Sequence, residues 1–376
     1  MASAVALNVA LIGCGFMGKA HSNAYAQVGH FFPHVRKIRR RVACCRGTAG
    51  LEALSRAWGW ESVETDWRRV VERPDVDLVD ICAPNYLHAE MAAAAAGAGK
   101  IVLCEKPLAN DLREAEAMVA ATRAVPTFVW FNYRRIPAVE LAARLLREGR
   151  LGRLYQYRAQ YLQQWGPDPG RPNNWKMSRR TAGSGANGDL NSHLIDTAMM
   201  LLGPIREVSA TLQSFLPEKP DPAAPGRTYA VDVDDAVLAQ ARFADGTLGS
   251  FEATRFATGF QNDNSFAVHG EKGMLEFHFE DMNHLTYAAV SGDPDLRGRR
   301  KVLPPARGPL DSPNFWKAGH PIGYEHTFIA SLADFLDGLD SGRPARPTFE
   351  DGLAVQRVLH AIERSDRERR WVGTGL

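Results

Sequence analysis

The chain has 376 residues, of which 45% are apolar and 23% are charged. This length predicts two domains and excludes a single small module, and the composition is that of a globular protein rather than a disordered one. Lysine and arginine number 45 against 43 aspartates and glutamates, so the formal net charge of +2 offers no broad basic field for nucleic acid or an anionic membrane. The sequence has no apolar run of about 18 residues and no basic segment before its first apolar run. We therefore expect neither a transmembrane helix nor a signal peptide, and a cytoplasmic location.

The cysteine content argues against a disulfide-stabilised protein. The five cysteines are Cys14, Cys44, Cys45, Cys82 and Cys104. None of them forms a C-x-x-C pair, and each lies at or next to the end of an apolar run. We expect no disulfide framework and interpret these residues as small buried side chains in a reducing compartment.

The first 127 residues alternate short apolar runs with helix-favouring stretches. The apolar runs are Leu7–Ile12, Val42–Cys45, Leu78–Cys82, Ile101–Cys104 and Thr127–Phe131. The stretches between them, rich in Ala, Leu, Glu and Arg, are 20–28, 50–58, 89–98 and 112–124. This alternation predicts parallel βαβ units, and hence an α/β domain with a doubly wound parallel sheet over residues 1–127.

Beyond residue 127 the pattern becomes that of an α+β domain. A predicted helix at 138–147 is followed by strand patterns at 154–163, 207–213, 237–243, 249–254, 265–270 and 273–279. Turn pairs such as Asp245-Gly246 separate these strands, which predicts a large, mostly antiparallel open sheet over residues 128–376. Segments 217–225 and 292–309 are rich in proline, glycine and charge and are predicted to be exposed loops. Helices at 324–339 and 349–363 close the chain.

An open sheet of this size would expose apolar area unless helices or another chain covered it. We therefore expect a homo-oligomer, either a dimer or a tetramer.

A glycine-rich turn follows the first apolar run. Gly13, Gly15 and Gly18 form the pattern G-x-G-x-x-G directly after a strand pattern and before a helical one. Such glycines permit a tight turn, let the backbone approach a pyrophosphate and allow close packing of helix on strand. The N–H groups of the helix start, at Phe16 and Met17, would face the phosphates. The alternative is a glycine-rich turn without a ligand, but the strand and helix on either side favour dinucleotide binding.

The second apolar run ends without the acid that normally binds the adenosine ribose of NAD. Arg46 stands near that place. Its guanidinium suits the 2′-phosphate of NADP, can equally stack on the adenine of NAD, and is also compatible with a solvated surface side chain. The predicted cofactor is therefore NAD or NADP, with the charge slightly favouring NADP.

The fourth apolar run ends in Glu105-Lys106-Pro107, at the edge of the predicted sheet where open α/β sheets bind ligands. The ammonium of Lys106 could hydrogen-bond a substrate hydroxyl and stabilise the charge that develops as its proton leaves. The alternative is an ordinary surface charge.

A second polar pair follows the glycine-rich stretch 184–188. Asp189 and His193 lie four residues apart on one face of a predicted helix. The carboxylate can orient the imidazole, an arrangement suited to a general base near neutral pH. Equally, Asp189 in the first turn of the helix would interact favourably with the helix dipole, which is a purely structural role. No metal site is expected, because His193, His320 and His326 lack supporting thiolates and regular ligand spacing.

Together these motifs resemble the Gfo/Idh/MocA oxidoreductases over essentially the whole chain. The motifs are G-x-G-x-x-G at 13–18, Glu-Lys-Pro at 105–107 and Asp-x-x-x-His at 189–193. Segments 83–88 and 131–139 are most similar to family members that act on anhydrosugars, glycosides and cyclitols. The resemblance implies a Rossmann domain followed by a substrate-binding and oligomerisation domain.

The resemblance also implies roles for individual residues. The cofactor side would comprise Gly13, Gly15, Phe16, Met17, Gly18, Arg46, Pro84, Asn85, His88 and Glu105. The catalytic set would be Lys106, Asp189 and His193, with a cis bond between Lys106 and Pro107. For the substrate side the residues themselves predict Tyr133, Trp165, Trp175, Asn191 and His326. Aromatic faces with hydrogen-bonding groups suit a hydroxylated ring, and the aromatic residues are equally compatible with core or interface positions.

The implied activity is oxidation of a secondary hydroxyl on a sugar, glycoside, anhydrosugar or cyclitol to a ketone, with His193 accepting the proton. One alternative is a redox-neutral NAD-dependent glycosidase or epimerase on the same scaffold; the other is a cofactor-binding regulator without turnover. Net formation of reduced nicotinamide separates the first alternative from a dehydrogenase. The presence of all three catalytic residues argues against the second.

Overall fold

The computed structural model describes residues 6–168, 170–171, 174–221, 223–305, 314–317 and 319–376. The chain divides into two compact units. The first comprises Met1–Ala109, Arg113–Arg135 and Ala306–Leu353, and the second comprises Asn110–Leu112, Ile136–Pro305 and Ala354–Leu376. Both units are discontinuous in sequence, whereas the predicted division is a single boundary after residue 127. That boundary stays a prediction about which segments fold independently.

The first unit is built on a six-stranded parallel sheet. Its strands are β1 Leu7–Ile12, β2 Ile38–Cys44, β3 Ser62–Glu64, β4 Leu78–Ile81, β5 Ile101–Cys104 and β6 Thr127–Val129. Their order is β3-β2-β1-β4-β5-β6, the order of the doubly wound dinucleotide-binding fold. The helices along these segments are α1 Phe16–Phe31, α2 Thr48–Trp58, α3 Trp67–Val71, α4 His88–Gly97 and α5 Leu112–Thr122. The predicted fold class of the first domain is confirmed.

The central strands are apolar runs because helices cover both faces of a parallel sheet. Val9, Ala10 and Leu11 of β1 are fully buried. β3 and α3 were not predicted from the sequence, since the three residues of β3 carry no apolar run.

The second unit is built on a nine-stranded sheet. Its elements in chain order begin with α6 Pro137–Arg147, β7 Leu154–Leu162, α7 Arg179–Ala182, α8 Ser192–Leu202, β8 Ile205–Gln213, β9 Glu218–Pro220 and β10 Thr228–Ala230. They continue with β11 Ala236–Phe243, β12 Leu248–Thr254, β13 Asp263–Gly270, β14 Gly273–His278, β15 Leu285–Ala289 and β16 Arg300–Val302. Helix α9 Tyr324–Ser341 belongs to the first unit, and helix α10 Phe349–Glu368 and strand β17 Val372–Gly373 complete the chain.

The nine strands lie in the order β16-β15-β14-β13-β7-β12-β11-β8-β17. Strand β12 runs parallel to β7, and the other neighbouring pairs are antiparallel. This confirms the predicted large, mostly antiparallel sheet. Alternation along β11 buries Val237 and Ala239 and leaves Leu238 58% exposed, so one face of the sheet forms core and the other is open.

Both segments predicted to be exposed loops contain regular structure. In the first, β9 pairs with β10, and Lys219 in β9 is 3% exposed because its ammonium donates to the carbonyl of Gly166. In the second, Arg300–Val302 forms β16, while residues 306–309 lie outside the described residues. A three-residue strand forms through its distant partner, which local composition does not reveal.

The interpretation of all five cysteines as small buried side chains is wrong for one pair. Cys14 and Cys45 are disulfide-bonded, with their Cα atoms 5.9 Å apart and a separation of 31 positions in sequence. Strands β1 and β2 are parallel neighbours with Ile12 opposite Cys44, so the residues that follow the two strands meet at the same edge. Cys44, Cys82 and Cys104 are free thiols.

Among the described residues, none of the helices combines the length and the hydropathy needed to cross a bilayer.

Candidate active site

The glycine-rich turn joins β1 to α1. Gly13 has φ +122°, and a Cβ there would lie 2.4 Å from the carbonyl oxygen of Cys82. A Cβ at Gly18 would lie 2.0 Å from the carbonyl oxygen of Gly13. Neither position admits a side chain. At Gly15, in contrast, a Cβ would meet no atom within 4 Å, so the space beside this residue is open to a ligand.

Helix α1 begins at this open position, and no side chain of the described residues caps its N-terminus at Gly15. Unpaired N–H groups at a helix N-terminus, beside a glycine that leaves room, fit the pyrophosphate of a dinucleotide. Phe16, the first residue of α1, is 69% exposed and stacks on Tyr324 with the ring centroids 6.0 Å apart. Arg46 is exposed after β2.

A buried polar network that the sequence analysis did not find lies below the carboxyl ends of β4 and β5. His21 Nδ1 lies 2.9 Å from Asp80 Oδ2, and His21 Nε2 lies 3.0 Å from Glu105 Oε1. Tyr25 and Trp130 each donate a hydrogen bond to Asp80 at 2.9 Å. His21 and Asp80 are fully buried. The network holds the carboxylate of Glu105, the residue immediately before the lysine of the Glu-Lys-Pro motif.

The geometry of the network suits a buried positive charge on His21, whose two ring nitrogens each face a carboxylate. Burial by itself lowers the pKa of His21, but its neighbours, Asp80 among them, raise it well above its ordinary value, which favours the protonated imidazole. Burial raises the pKa of Cys82, whose sulfur lies 3.0 Å from His21 Nδ1, to about 12. His21, Asp80 and Cys82 place ligand-type atoms within 4.8 Å of one another. Because both ring nitrogens of His21 lie at hydrogen-bond distance from carboxylates, we interpret the cluster as a hydrogen-bonded network.

The Glu-Lys-Pro turn has the backbone form that the resemblance implied. The Lys106–Pro107 peptide bond is cis, and the Lys106 N–H donates to Glu105 Oε2 at 3.1 Å. The buried ring of His88 lies 2.9 Å from the carbonyl oxygen of Ala83 and 3.2 Å from that of Pro107. His88 therefore joins the loop after β4 to the loop after β5. Its place on the cofactor side stays a prediction.

Two of the predicted substrate residues lie in the first unit. Tyr133 is 5% exposed, and its ring centroid lies 6.5 Å from that of Tyr324. Burial, followed by the nearby Tyr133 and Glu105, raises the pKa of Tyr324 well above its ordinary value. Tyr324 is thus a neutral phenol beside Phe16, one of the predicted cofactor residues. The sequence did not identify Tyr324 as a site residue, because it only marks the start of a predicted helix.

His326 has the contacts of a helix cap. Its Nδ1 accepts a hydrogen bond from the Gly323 N–H at 3.1 Å, at the start of α9. The ring packs edge-on against Phe315 with the centroids 4.7 Å apart. Burial lowers the pKa of His326, which keeps Nδ1 available as an acceptor. A substrate contact by this residue stays a prediction.

In the second unit the glycine-rich stretch is shaped around Asp234. A Cβ at Gly185 would lie 1.7 Å from the carbonyl oxygen of Asp234. The carboxylate of Asp234 accepts hydrogen bonds from the N–H groups of Gly185 and Asn187, each at 2.7 Å. These contacts anchor a single π-helical turn, Asn187–Asn191, which leads into α8. Such turns often occur at functional sites.

The sequence predicted Asp189 in the first turn of an α-helix. In the structure it lies in the π-helical turn. Its Oδ2 atom lies 3.1 Å from Lys176 Nζ and 3.1 Å from Arg255 Nη2. The Arg255 side chain is 1% exposed and that of Asp189 is 17% exposed. His193, on α8, is 6% exposed and its ring centroid lies 6.0 Å from that of Tyr161. The sequence gave no signal for the two cations, because Lys176 and Arg255 are distant from Asp189 in the chain.

Trp165 lies beside Arg255, one of the two cations that contact Asp189. Its ring contacts the guanidinium groups of Arg171, 3.9 Å from the centroid, and Arg255, at 4.8 Å. Its indole N–H donates to Gln163 Oε1 at 2.6 Å. Trp175 lies beside Lys176, whose Nζ is 5.7 Å from the ring centroid. Both tryptophans are therefore close to residues that surround Asp189.

Asn191 is fully buried, and its amide donates to Asn187 Oδ1 at 3.1 Å. These contacts belong to the π-helical turn itself. The prediction that Asn191 reaches a substrate receives no support from them.

The predicted residues fall into two groups. The cofactor residues, Lys106, Tyr133 and His326 belong to the first unit, and Asp189, His193, Trp165, Trp175 and Asn191 belong to the second. Within the first unit, the glycine-rich turn and the Glu-Lys-Pro turn both follow strands of one parallel sheet. The meeting of Lys106 with His193 stays a prediction.

Two protein-family models match the chain. Residues 7–133 match an oxidoreductase family with an NAD-binding Rossmann fold, and residues 139–276 match the GFO/IDH/MocA C-terminal domain. Levoglucosan dehydrogenase from Pseudarthrobacter phenanthrenivorans is 40% identical over 97% of this chain and 97% of its own.

Solved structures of oxidoreductases are also similar to this chain over nearly its whole length. A levoglucosan dehydrogenase in complex with NADH and levoglucosan superposes with a TM-score of 0.94 at 41% identity, covering 98% of this chain and 100% of that one. An oxidoreductase domain protein from Kribbella flavida has a TM-score of 0.94 at 42% identity, covering 99% and 100%.

Proposed function

The chain belongs to the Gfo/Idh/MocA oxidoreductases and carries their NAD-binding Rossmann domain, and from this membership we propose that it is a dehydrogenase of polyhydroxylated rings. It oxidises a secondary hydroxyl of a sugar, glycoside, anhydrosugar or cyclitol to a ketone, reversibly. The observation that carries the proposal is the 40% identity, over 97% of both chains, with levoglucosan dehydrogenase.

The residues of this chain divide the chemistry between a base and an electrophilic group. When bound, NAD supplies the hydride acceptor. His193 takes the proton of the substrate hydroxyl, and Lys106 donates a hydrogen bond to the same oxygen and stabilises its developing negative charge. Asp189 supports the imidazolium that forms on His193.

The contacts of Asp189 favour this role. Lys176 and Arg255 each lie 3.1 Å from its carboxylate, so its position is fixed from two sides. Arg255 is almost completely buried, and its guanidinium also contacts Trp165. These two contacts hold the carboxylate in one place, four residues before the proposed base in the chain.

Aromatic side chains provide the recognition of a ring. Trp165 is a large flat side chain with polar neighbours, as binding sites for hydroxylated rings require. Gln163, 2.6 Å from the indole nitrogen of Trp165, adds hydrogen-bonding capacity. We include Tyr133, Trp175, Asn191 and His326 in the proposed substrate side as sequence-based predictions.

NAD is the proposed physiological cofactor rather than NADP. The matching family model describes NAD binding, and the similar levoglucosan dehydrogenase holds NADH. Arg46 is exposed, which suits stacking on an adenine as well as contact with a phosphate. We also propose a cytoplasmic location, in keeping with this metabolic role.

The test is absorbance of reduced nicotinamide, with purified protein, NAD or NADP, and a panel of sugars, anhydrosugars, glycosides and cyclitols. Net formation of NADH with at least one ring compound is expected. Product formed without a net change in absorbance would replace the proposal with a redox-neutral reaction. Binding of NAD without turnover of any compound in the panel would overturn it.

A further inference from the structure

The disulfide Cys14–Cys45 lies inside the dinucleotide-binding part of the first unit. Cys14 stands between the two glycines that begin the G-x-G-x-x-G motif, and Cys45 immediately precedes Arg46. The Gly13 N–H donates to the carbonyl oxygen of Cys44 at 2.8 Å, so the turn after β1 and the end of β2 are already adjacent. In doubly wound domains this corner receives the pyrophosphate on one side and the adenosine ribose on the other.

The two bonded cysteines differ from Cys44 and Cys104 in their surroundings. Cys14 and Cys45 are both partly exposed, as is Cys82, whereas Cys44 and Cys104 are buried. Burial raises the pKa of Cys44 to about 12 and that of Cys104 well above its ordinary value. Thiols with such surroundings are inert, because the thiolate is the reactive form. Because Cys14 and Cys45 are partly exposed, a small reagent can reach them.

We propose that Cys14 and Cys45 are a reversible thiol-modification site, oxidised by small-molecule disulfides, that controls the affinity of the protein for NAD. This proposal goes beyond the dehydrogenase activity and uses only the capacity to bind NAD. A disulfide in a protein of a reducing compartment is typically transient or redox-sensing, which agrees with a pair placed at a ligand site rather than in the core.

The chemistry proceeds by two exchanges. Cys14 lies directly before the N-terminus of the 16-residue helix α1, which favours its thiolate over that of Cys45. The Cys14 thiolate attacks one sulfur of the oxidant, forms a mixed disulfide and releases one small thiolate. The Cys45 thiolate then attacks Cys14 Sγ, closes the protein disulfide and releases the second small thiolate. The two cysteines lose two protons and two electrons, and one oxidant disulfide becomes two thiols.

The cross-linked state is the one that binds NAD more tightly. In it, the space beside Gly15 is open and the N-terminus of α1 lacks a side-chain cap among the described residues, as pyrophosphate binding requires. The disulfide joins the turn after β1 to the end of β2 and so restricts the conformational freedom of the turn. The turn therefore loses less conformational entropy when NAD binds. Reduction frees both side chains and returns that freedom to the turn, which weakens binding.

The experiment is titration of the full chain with NAD after treatment with oxidised glutathione or with a phosphine reductant. Peptide mapping under non-reducing conditions reports the Cys14–Cys45 bond. We expect the dissociation constant for NAD to rise about fivefold on reduction. In the double variant Cys14→Ser/Cys45→Ser, which can form neither the cross-link nor a mixed disulfide at this site, the dissociation constant should be the same after both treatments.

Cys44→Ala is the matched control, because this residue is adjacent to Cys45 but buried and unbonded. It should keep the full redox response. Failure to find the cross-linked peptide after oxidation, or equal NAD affinity in both states of the native protein, would overturn the proposal. Because the titration needs no substrate, its result is independent of whether any ring compound is oxidised.

Discussion

His21 is a cation buried between the carboxylates of Asp80 and Glu105, at 2.9 and 3.0 Å. A buried charge is tolerated only when it is paired and hydrogen-bonded, and removal of one partner leaves the others uncompensated. The same side chain fixes Glu105, which precedes the proposed catalytic Lys106. A residue without a direct part in the chemistry thus supports both the stability of the first unit and the position of a reactive group.

Replacement of His21 by Asn should lower the free energy of unfolding by about 3 kcal/mol. Because the pKa of His21 is raised in the folded protein, its contribution is complete below the unfolded value of about 6.5 and is lost as the pH rises through the folded value. The difference between native protein and variant should therefore narrow above about pH 6.5. Urea denaturation across this pH range measures it.

His34→Asn is the matched control, since this histidine is 53% exposed and pairs with Asp337 at the surface. It should change stability by less than about 0.5 kcal/mol. A difference for His21→Asn that grows with rising pH would contradict the assignment of a buried cation.

Replacement of His193 by Ala removes the proposed base. We expect kcat to fall about a hundred- to ten-thousandfold, because a positioned general base contributes on this order. The dissociation constant for NAD, measured by fluorescence titration, should be unchanged. His30→Ala, at an exposed position of α1, should leave kcat unaltered. Undiminished turnover in the His193 variant would rule out the assigned base.

The turn between β1 and α1 shows how one element separates folding from binding. Gly13 and Gly18 are enclosed by the protein itself, whereas Gly15 has no neighbour within 4 Å of its absent Cβ. Gly13 and Gly18 are therefore required by the fold. No protein atom requires a glycine at position 15, where the open space suits the approach of a ligand. The stretch before α8 also contains a glycine that the fold requires. A side chain at Gly185 would collide with the backbone of Asp234.

Gly15→Ala tests this separation. The variant should keep the free energy of unfolding within about 0.5 kcal/mol of the native value, because the added methyl meets no protein atom. NAD affinity should fall at least about tenfold, since the methyl occupies the pyrophosphate position. Calorimetric titration and urea denaturation provide the two readouts. Gly97→Ala, a helical position with open space, should leave NAD affinity unaltered. If Gly15→Ala bound NAD with the native affinity, the assignment of the pyrophosphate to this turn would be wrong.

On the scale of the whole molecule, the nine-stranded sheet leaves one face open. Leu238 on β11 and Leu248 on β12 are 58% and 47% exposed on that face. Exposed apolar side chains on neighbouring strands favour contact with a second copy of the chain. We therefore propose that the open face is where the expected homo-oligomer forms.

Leu238→Lys should weaken that assembly, because it places a charge in the interface. Sedimentation velocity should show a shift towards the monomer at low micromolar concentration. Leu303→Lys introduces the same charge at a residue that is 54% exposed outside β11 and β12, and it should leave the assembly intact. A native protein that is monomeric at all concentrations would dismiss the oligomer itself.

The sequence by itself determined the local features of this protein. The apolar runs of β1, β4 and β5, the glycines of the dinucleotide turn and the identity of Lys106, Asp189 and His193 were all readable, because periodicity and turn chemistry are properties of neighbouring residues. The signal for the His21 network was present in part, since Asp80 interrupts an apolar strand. These features were sufficient to assign the fold class and the family resemblance.

Only the tertiary structure decided which distant residues meet. The order of parallel strands brought Cys14 to Cys45, although no spacing rule links them. The packing around the π-helical turn brought Arg255 and Lys176 to Asp189. Such pairs depend on strand order and on the path of the chain between elements, and residues far apart in sequence carry no local pattern that records their contact.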